Sequence, residues 1–174
     1  MDHTLIIGLG NPDPALENTY HNAGALAVQW IAEHVTDGDP APKFRAHKHS
    51  FEYIKAGTHI FIRPLVFMNE SGRAVKDAMS IFDADVKDII IIHDDSDIAV
   101  GEFKRVSGGG SAGHNGIRSI IDHLHTEYFA RIRIGIREKD EARRKKAGDF
   151  VLSPITPADK EALEEVFKKI SESF

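Results

Sequence analysis

The chain has 174 residues, with 22 Lys and Arg against 27 Asp and Glu and a formal charge of −5. That length suits one domain, residues 1–174, with a full core, and a composition 41% hydrophobic and 28% charged excludes a disordered chain. The absence of cysteine excludes disulfides, thiolate nucleophiles and Cys-ligated metal sites, and no apolar run approaches the roughly 20 residues of a membrane span.

Leu5-Ile6-Ile7 reads as a buried strand ending at Gly8-Leu9-Gly10. Asn22 to about His34 reads as a helix, with Leu26, Ala27, Trp30 and Ile31 on one face. Phe51–Lys55 and His59–Arg63 flank Ala56-Gly57-Thr58 and predict a hairpin. The stripe Ala74, Val75, Ala78, Met79 predicts a helix over Ser71–Phe82. Ile89-Ile90-Ile91-Ile92 does not alternate, which suits a strand covered on both faces. Gly101–Val106 and Ile132–Ile136 are further strands, and Ile117–Leu124 is a short helix. A last amphipathic helix runs from Pro157 to Ile170 with Thr156 as its N-cap. Lys43–Lys48 and Glu138–Lys146 are expected as loops. Strands alternating with helices predict an α/β fold, a single-domain three-layer sandwich whose mixed, twisted sheet is flanked by helices.

Charge is uneven along the chain. Residues 101–150 hold 11 Lys and Arg against 7 Asp and Glu, so an acidic protein keeps one basic stretch for a polyanion. Arg143-Arg144-Lys145-Lys146 reads equally as a solvated loop.

Two glycine-rich turns invite nucleotide readings that their neighbours exclude. In Gly8-Leu9-Gly10-Asn11-Pro12-Asp13, Asp13 stands where a dinucleotide fingerprint needs glycine, and Pro12 removes a backbone donor. Gly108 and Gly113 have P-loop spacing, but His114-Asn115 replace the Lys and Ser/Thr that hold phosphate and magnesium. Five glycines within residues 108–116 still make either a flexible loop or a turn against a ligand. His93-Asp94-Asp95-Ser96-Asp97 lacks the spacing of a calcium loop, and the His-x-His pairs at 47/49 and 123/125 lack further zinc ligands. No metal or other cofactor is expected.

What remains is a set of polar residues following apolar strands: Asn11, Asn69, Asp94 and Asn115. Ligands collect at the carboxyl ends of strands in open α/β sheets. Singly, each of these residues is more often a turn former or helix cap. His21 lies at the start of the first helix, near the turn after the first strand. A neutral imidazole there accepts a proton, and a carboxylate on its other nitrogen fixes the tautomer. Asp94 is the candidate partner. A surface histidine at a helix start is the alternative. No serine stands in a nucleophile elbow, so water activated by a His–Asp pair is favoured over an acyl-enzyme.

The segments GLGNP, TYHNAG, FMNESG, HDDSD, GGGSAGHNG and RIRIGI, in that order and spacing, closely resemble bacterial peptidyl-tRNA hydrolase over nearly all of residues 4–174. The resemblance implies hydrolysis of the ester joining a peptide to the 3′ end of tRNA, recycling tRNA dropped in translation. It implies a monomeric cytoplasmic enzyme without metal or nucleotide, contacting the CCA end and acceptor stem of peptidyl-tRNA. Carried over by motif, His21 is the general base, Asp94 its partner and Asn11 a catalytic positioning residue. Tyr20, Asn69, Asn115, His114 and Arg133 are substrate- and tRNA-binding residues, with Arg133 a phosphate clamp. Asp97 lies in a matched motif. Two departures stand out: Val106-Ser107 precede the glycine run where the family carries a basic residue, and Arg137-Glu138-Lys139-Asp140 follow RIRIGI in place of glycine and proline. A non-catalytic RNA-binding relative of this fold is the competing expectation, but RNA binding alone needs no general base.

Overall fold

The computed structural model describes residues 3–35, 43–139 and 147–174. Seven strands form one sheet: β1 (Thr4–Gly8), β2 (Arg45–His47), β3 (Phe51–Ala56), β4 (His59–Pro64), β5 (Ile89–Ala99), β6 (Phe103–Ser107) and β7 (Ala130–Arg137). Their spatial order is β2-β3-β4-β1-β5-β7-β6. The four central strands pair parallel, and β2, β3 and β6 add antiparallel edges. The helices are α1 (Ala23–Val35), α2 (Ser71–Phe82), α3 (Asn115–Leu124), α4 (Ala147–Phe150) and α5 (Pro157–Ser171).

Period-two alternation splits the central strands between two cores. Ile6, Phe61 and Ile92 pack with Ala27, Ile31, Leu163 and Phe167, which places α1 and α5 on one face. Leu5, Ile7, Ile60 and Ile91 pack with Val75, Ala78, Ile117 and Ile120, which places α2 and α3 on the other. This is the expected three-layer sandwich. Among the described residues no helix is long and apolar enough to cross a membrane.

The structure corrects three expectations. Residues 45–47, expected within a loop, form edge strand β2, paired through Arg45–Tyr53, Ala46–Glu52 and His47–Phe51. Its three residues, Arg45-Ala46-His47, are too few to show an apolar alternation, and pairing with β3 holds them at the edge of the sheet. The strand expected over the isoleucine run continues to Ala99, so Asp94 lies inside β5 rather than after it. Pairing with β7 extends through Asp94–Ile134 and Asp95–Gly135, whereas pairing with β1 stops at Gly8–Ile92. Finally, β6 starts at Phe103 rather than Gly101, since Gly101 has φ +88° and belongs to the turn. The Arg143–Lys146 run and most of the expected 138–146 loop lie outside the described residues.

Two glycines set where α1 meets the sheet. A Cβ on Gly8 would stand 2.1 Å from Gly24 O, and one on Gly24 would stand 2.2 Å from Ile92 O. Leu9 N–H donates to Ile92 O at 2.9 Å, and Ala25 N–H donates to Leu9 O at 2.9 Å. The start of α1 is thereby pressed onto the carboxyl ends of β1 and β5. The connection leaving β1 leads towards β4, and that leaving β5 leads towards β7, so a crevice opens between these two strands.

Candidate active site

His21 occupies a short 3-10 turn, Tyr20–Asn22, immediately before α1. The glycine contacts beneath that turn bring it over Asp94, two residues past the last β1–β5 pair. His21 Nδ1 lies 3.0 Å from both carboxylate oxygens of Asp94. The His21 side chain is 12% exposed and that of Asp94 3%. Since Asp94 can only accept, Nδ1 carries the ring proton and Nε2 holds the lone pair.

A second imidazole reaches the same carboxylate. His114 Nε2 lies 2.9 Å from Asp94 Oδ1. His114 is also the N-cap of α3, its Nδ1 accepting from Gly116 N–H at 3.1 Å and Ile117 N–H at 3.3 Å. Backbone N–H groups only donate, so the His114 ring proton sits on Nε2 and points at Asp94. Burial alone would raise the Asp94 pKa. The opposing influence of His114, and then of His21, holds it well below the usual carboxylate range.

His21, Asp94 and His114 bring one potential ligand atom each within 4.8 Å of one another. A two-His, one-carboxylate set is a known metal geometry. Here the donor chemistry does not fit. His114 Nδ1 is committed to the helix cap, and its Nε2 bears the proton, so neither nitrogen offers a metal a lone pair.

Asn11 is bracketed by Asn22, which sequence reasoning left as a helix start. Asn22 Oδ1 accepts from Asn11 N–H at 2.8 Å, and Asn22 Nδ2 donates to Asn11 O at 3.0 Å. Asn11 Oδ1 accepts from Met68 N–H at 2.9 Å. That bond fixes the amide orientation and leaves Nδ2 as the free donor.

These groups open into a cleft of about 640 Å³. Of the residues singled out from sequence, Asn11, His21, Asn69, Asp94, Asp97, His114 and Asn115 line it. Asn69 and Asn115 are exposed. Tyr20 and Arg133 do not line it. Tyr20 is 2% exposed and turned towards α5, its hydroxyl donating to Asp159 Oδ2 at 2.5 Å. Arg133 Nε donates at 2.6 Å to Oδ2 of Asp95, a residue that does line the cleft. The glycine turn is held from below by buried Arg131, whose guanidinium donates to the carbonyls of Gly108, Gly109 and Gly110. Gly108 and Gly109, at φ +79° and +96°, adopt the left-handed backbone that turns these carbonyls inward.

Sequence reasoning weighed His93 only as part of a metal loop, and it passed over Phe67, Val151 and Leu152, which also line the cleft. Val151 and Leu152 had no signal, because they reach the cleft only through the return of the chain after α4.

Comparison with known proteins places the chain in a family. A family profile described as peptidyl-tRNA hydrolase matches residues 5–174. The chain is 39% identical over 168 residues to the peptidyl-tRNA hydrolase of Lactobacillus delbrueckii subsp. bulgaricus, covering 97% of this chain and 89% of that one. It is 35% identical over 169 residues to that of Sorangium cellulosum, covering 97% and 75%. The crystal structure of peptidyl-tRNA hydrolase from Acinetobacter baumannii superposes with a TM-score of 0.81 at 26% identity, covering 98% of this chain and 86% of that one. With family profile, close relatives and fold in agreement, the chain belongs to the peptidyl-tRNA hydrolase family and is a hydrolase of peptidyl-tRNA.

Proposed function

We propose that His21 is the general base of this hydrolysis, with Asp94 as its partner and Asn11 as a donor to the reacting carbonyl. The observation that carries the proposal is the shared carboxylate: Asp94 accepts from His21 Nδ1 and His114 Nε2 at 3.0 and 2.9 Å. The first bond leaves His21 Nε2 as the open acceptor on the cleft side. The second is a fixed donor that keeps Asp94 ionised and oriented.

A water molecule gives its proton to His21 Nε2 as its oxygen attacks the carbonyl carbon of the ester between peptide and tRNA ribose. The imidazolium formed is stabilised by Asp94. The carbonyl oxygen gains negative charge, and Asn11 Nδ2, turned away from Met68 N–H, donates to it. Collapse of the tetrahedral species breaks the bond to the ribose oxygen, which takes the proton back from His21. A ribose oxygen leaves more readily than an amine, so this small constellation suffices. Asn69 and Asn115, exposed on the cleft rim, offer neutral donors and acceptors to the CCA end, and Arg133 supplies charge to the acceptor stem. The same reading has the single domain acting as a monomer in the cytoplasm, where its substrate arises.

Hydrolysis of N-acetyl-aminoacyl-tRNA tests the assignment. His21→Ala is expected to lose about 10²–10⁴-fold in kcat while still binding tRNA. Turnover near the wild-type rate would remove His21 from the role.

A further inference from the structure

Part of the cleft wall is formed by Val151 and Leu152, in the strap of residues 151–156 between α4 and α5. This strap runs beside the segment that carries His21. Ile155 N–H donates to Asn18 O at 2.9 Å, Tyr20 N–H to Ser153 O at 3.3 Å, and His21 N–H to Val151 O at 2.8 Å. Thr19 and Pro154 form an antiparallel bridge between the same two segments.

Tyr20 spans the strap with its side chain. Its ring stacks on Phe150 at one end, with centroids 4.3 Å apart. At the other end its hydroxyl donates to Asp159 Oδ2 at 2.5 Å and accepts from Thr156 N–H at 3.4 Å. Asp159 lies in the first turn of α5, and its own N–H is capped by Thr156 Oγ1 at 3.2 Å. Burial first, and the Asp159 hydrogen bond second, push the phenol up to about 12, so it keeps its proton at neutral pH. Phenylalanine would fill the same space without burying a hydroxyl. The hydroxyl therefore has one evident use, joining residue 20 to the start of α5.

We infer that Tyr20 and Asp159 form a latch that holds the 151–156 strap as the substrate-gripping wall of the cleft, which makes Tyr20 a positioning residue rather than a contact to tRNA. The inference rests on reading the His21–Asp94 cleft as the site of hydrolysis. Besides its own N–H bond to Val151 O, the base is held from the other side by Asp94 and by the backbone contacts of Gly8 and Gly24. Releasing the latch therefore loosens the wall more than it displaces the base, and the loss falls on substrate capture.

The test is steady-state hydrolysis of peptidyl-tRNA by Tyr20→Phe, Asp159→Ala, the double variant and Asp159→Asn, with His21→Ala as control. Amide exchange at Ile155 is followed in each folded protein. Tyr20→Phe and Asp159→Ala are each expected to raise KM about tenfold, the fold-change of one hydrogen bond of ordinary net strength, with kcat close to wild type. The double variant should be no worse than the worse single one, because both remove the same bond. Asp159→Asn keeps an acceptor oxygen and should recover most of the loss. Exchange at Ile155 should speed up wherever KM rises. An unchanged KM in Tyr20→Phe overturns the latch, as does a fall in kcat at constant KM. If His21→Ala is fully active, the site reading is what fails, and Ile155 exchange then judges the latch alone.

Discussion

His93 is buried beside Asp94 and makes one hydrogen bond, its Nδ1 donating to Asp94 O at 2.8 Å. Burial first, and neighbouring His114 second, push it down to about 3. The folded protein thus keeps His93 neutral, while the unfolded chain protonates it near pH 6.5. Between those values the unfolded state binds the extra proton, so stability declines as pH drops from 6.5 towards 3. Asp94 works in a lower window. Its folded value is depressed, so its contribution is present above the unfolded value of about 4 and is lost as pH falls below it. Denaturant unfolding of wild type and His93→Asn at pH 7 and pH 5 separates the two. Wild type should lose roughly 2 kcal/mol more than the variant over that interval, from a slope of about 1.4 kcal/mol per pH unit. Parallel losses would mean that His93 protonates in the folded state.

Elements position the site through backbone contact more than through side chains. The start of α1 approaches β1 and β5 so closely that Gly24→Ala would place a Cβ 2.2 Å from Ile92 O and 2.8 Å from Leu9 N. Both neighbours are backbone, Ile92 inside β5 and Leu9 directly after β1, bonded to each other through Leu9 N–H and Ile92 O, and they cannot give way. The helix must lift, and overpacking of this kind costs about 1–3 kcal/mol. Gly24→Ala should lower unfolding stability by at least that much in denaturant titration. Hydrolysis should fall with it, because His21 rides on the turn feeding α1. A variant of wild-type stability and rate would show that α1 has room there. The helices and the hairpin were readable because local apolar periodicity drives them: Ala74, Val75 and Ala78 are all buried in α2, as their stripe predicted. Strand β2 was not, since a three-residue edge without apolar alternation is held by its partner strand.

For the whole molecule, the net charge of −5 opposes a tRNA substrate, so recognition must come from locally basic surface. Arg133 is 27% exposed and already paired with Asp95, and the exposed Lys104 stands opposite it on β6. KM for peptidyl-tRNA should still rise with salt, its logarithm growing by about 0.7–0.9 per log unit of salt for each phosphate contacted. Arg133→Gln should reduce that slope by about one while leaving kcat little changed. A salt-independent KM would assign recognition to the uncharged amides of the cleft rim.

The amino-acid sequence by itself determined the alternation of strands and helices, the burial of the isoleucine run and the family motifs, because each rests on local periodicity or on neighbours within a few residues. It also put His21, Asn11, Asn69, Asp94, His114 and Asn115 forward as candidates. Only the tertiary structure decided that two imidazoles share Asp94, that Tyr20 turns to α5 and that Arg133 turns to Asp95. His21 and Asp94 are 73 residues apart, and Tyr20 and Asp159 are 139 apart. No local pattern encodes such meetings. They follow from strand order and from how closely glycine lets one backbone approach another.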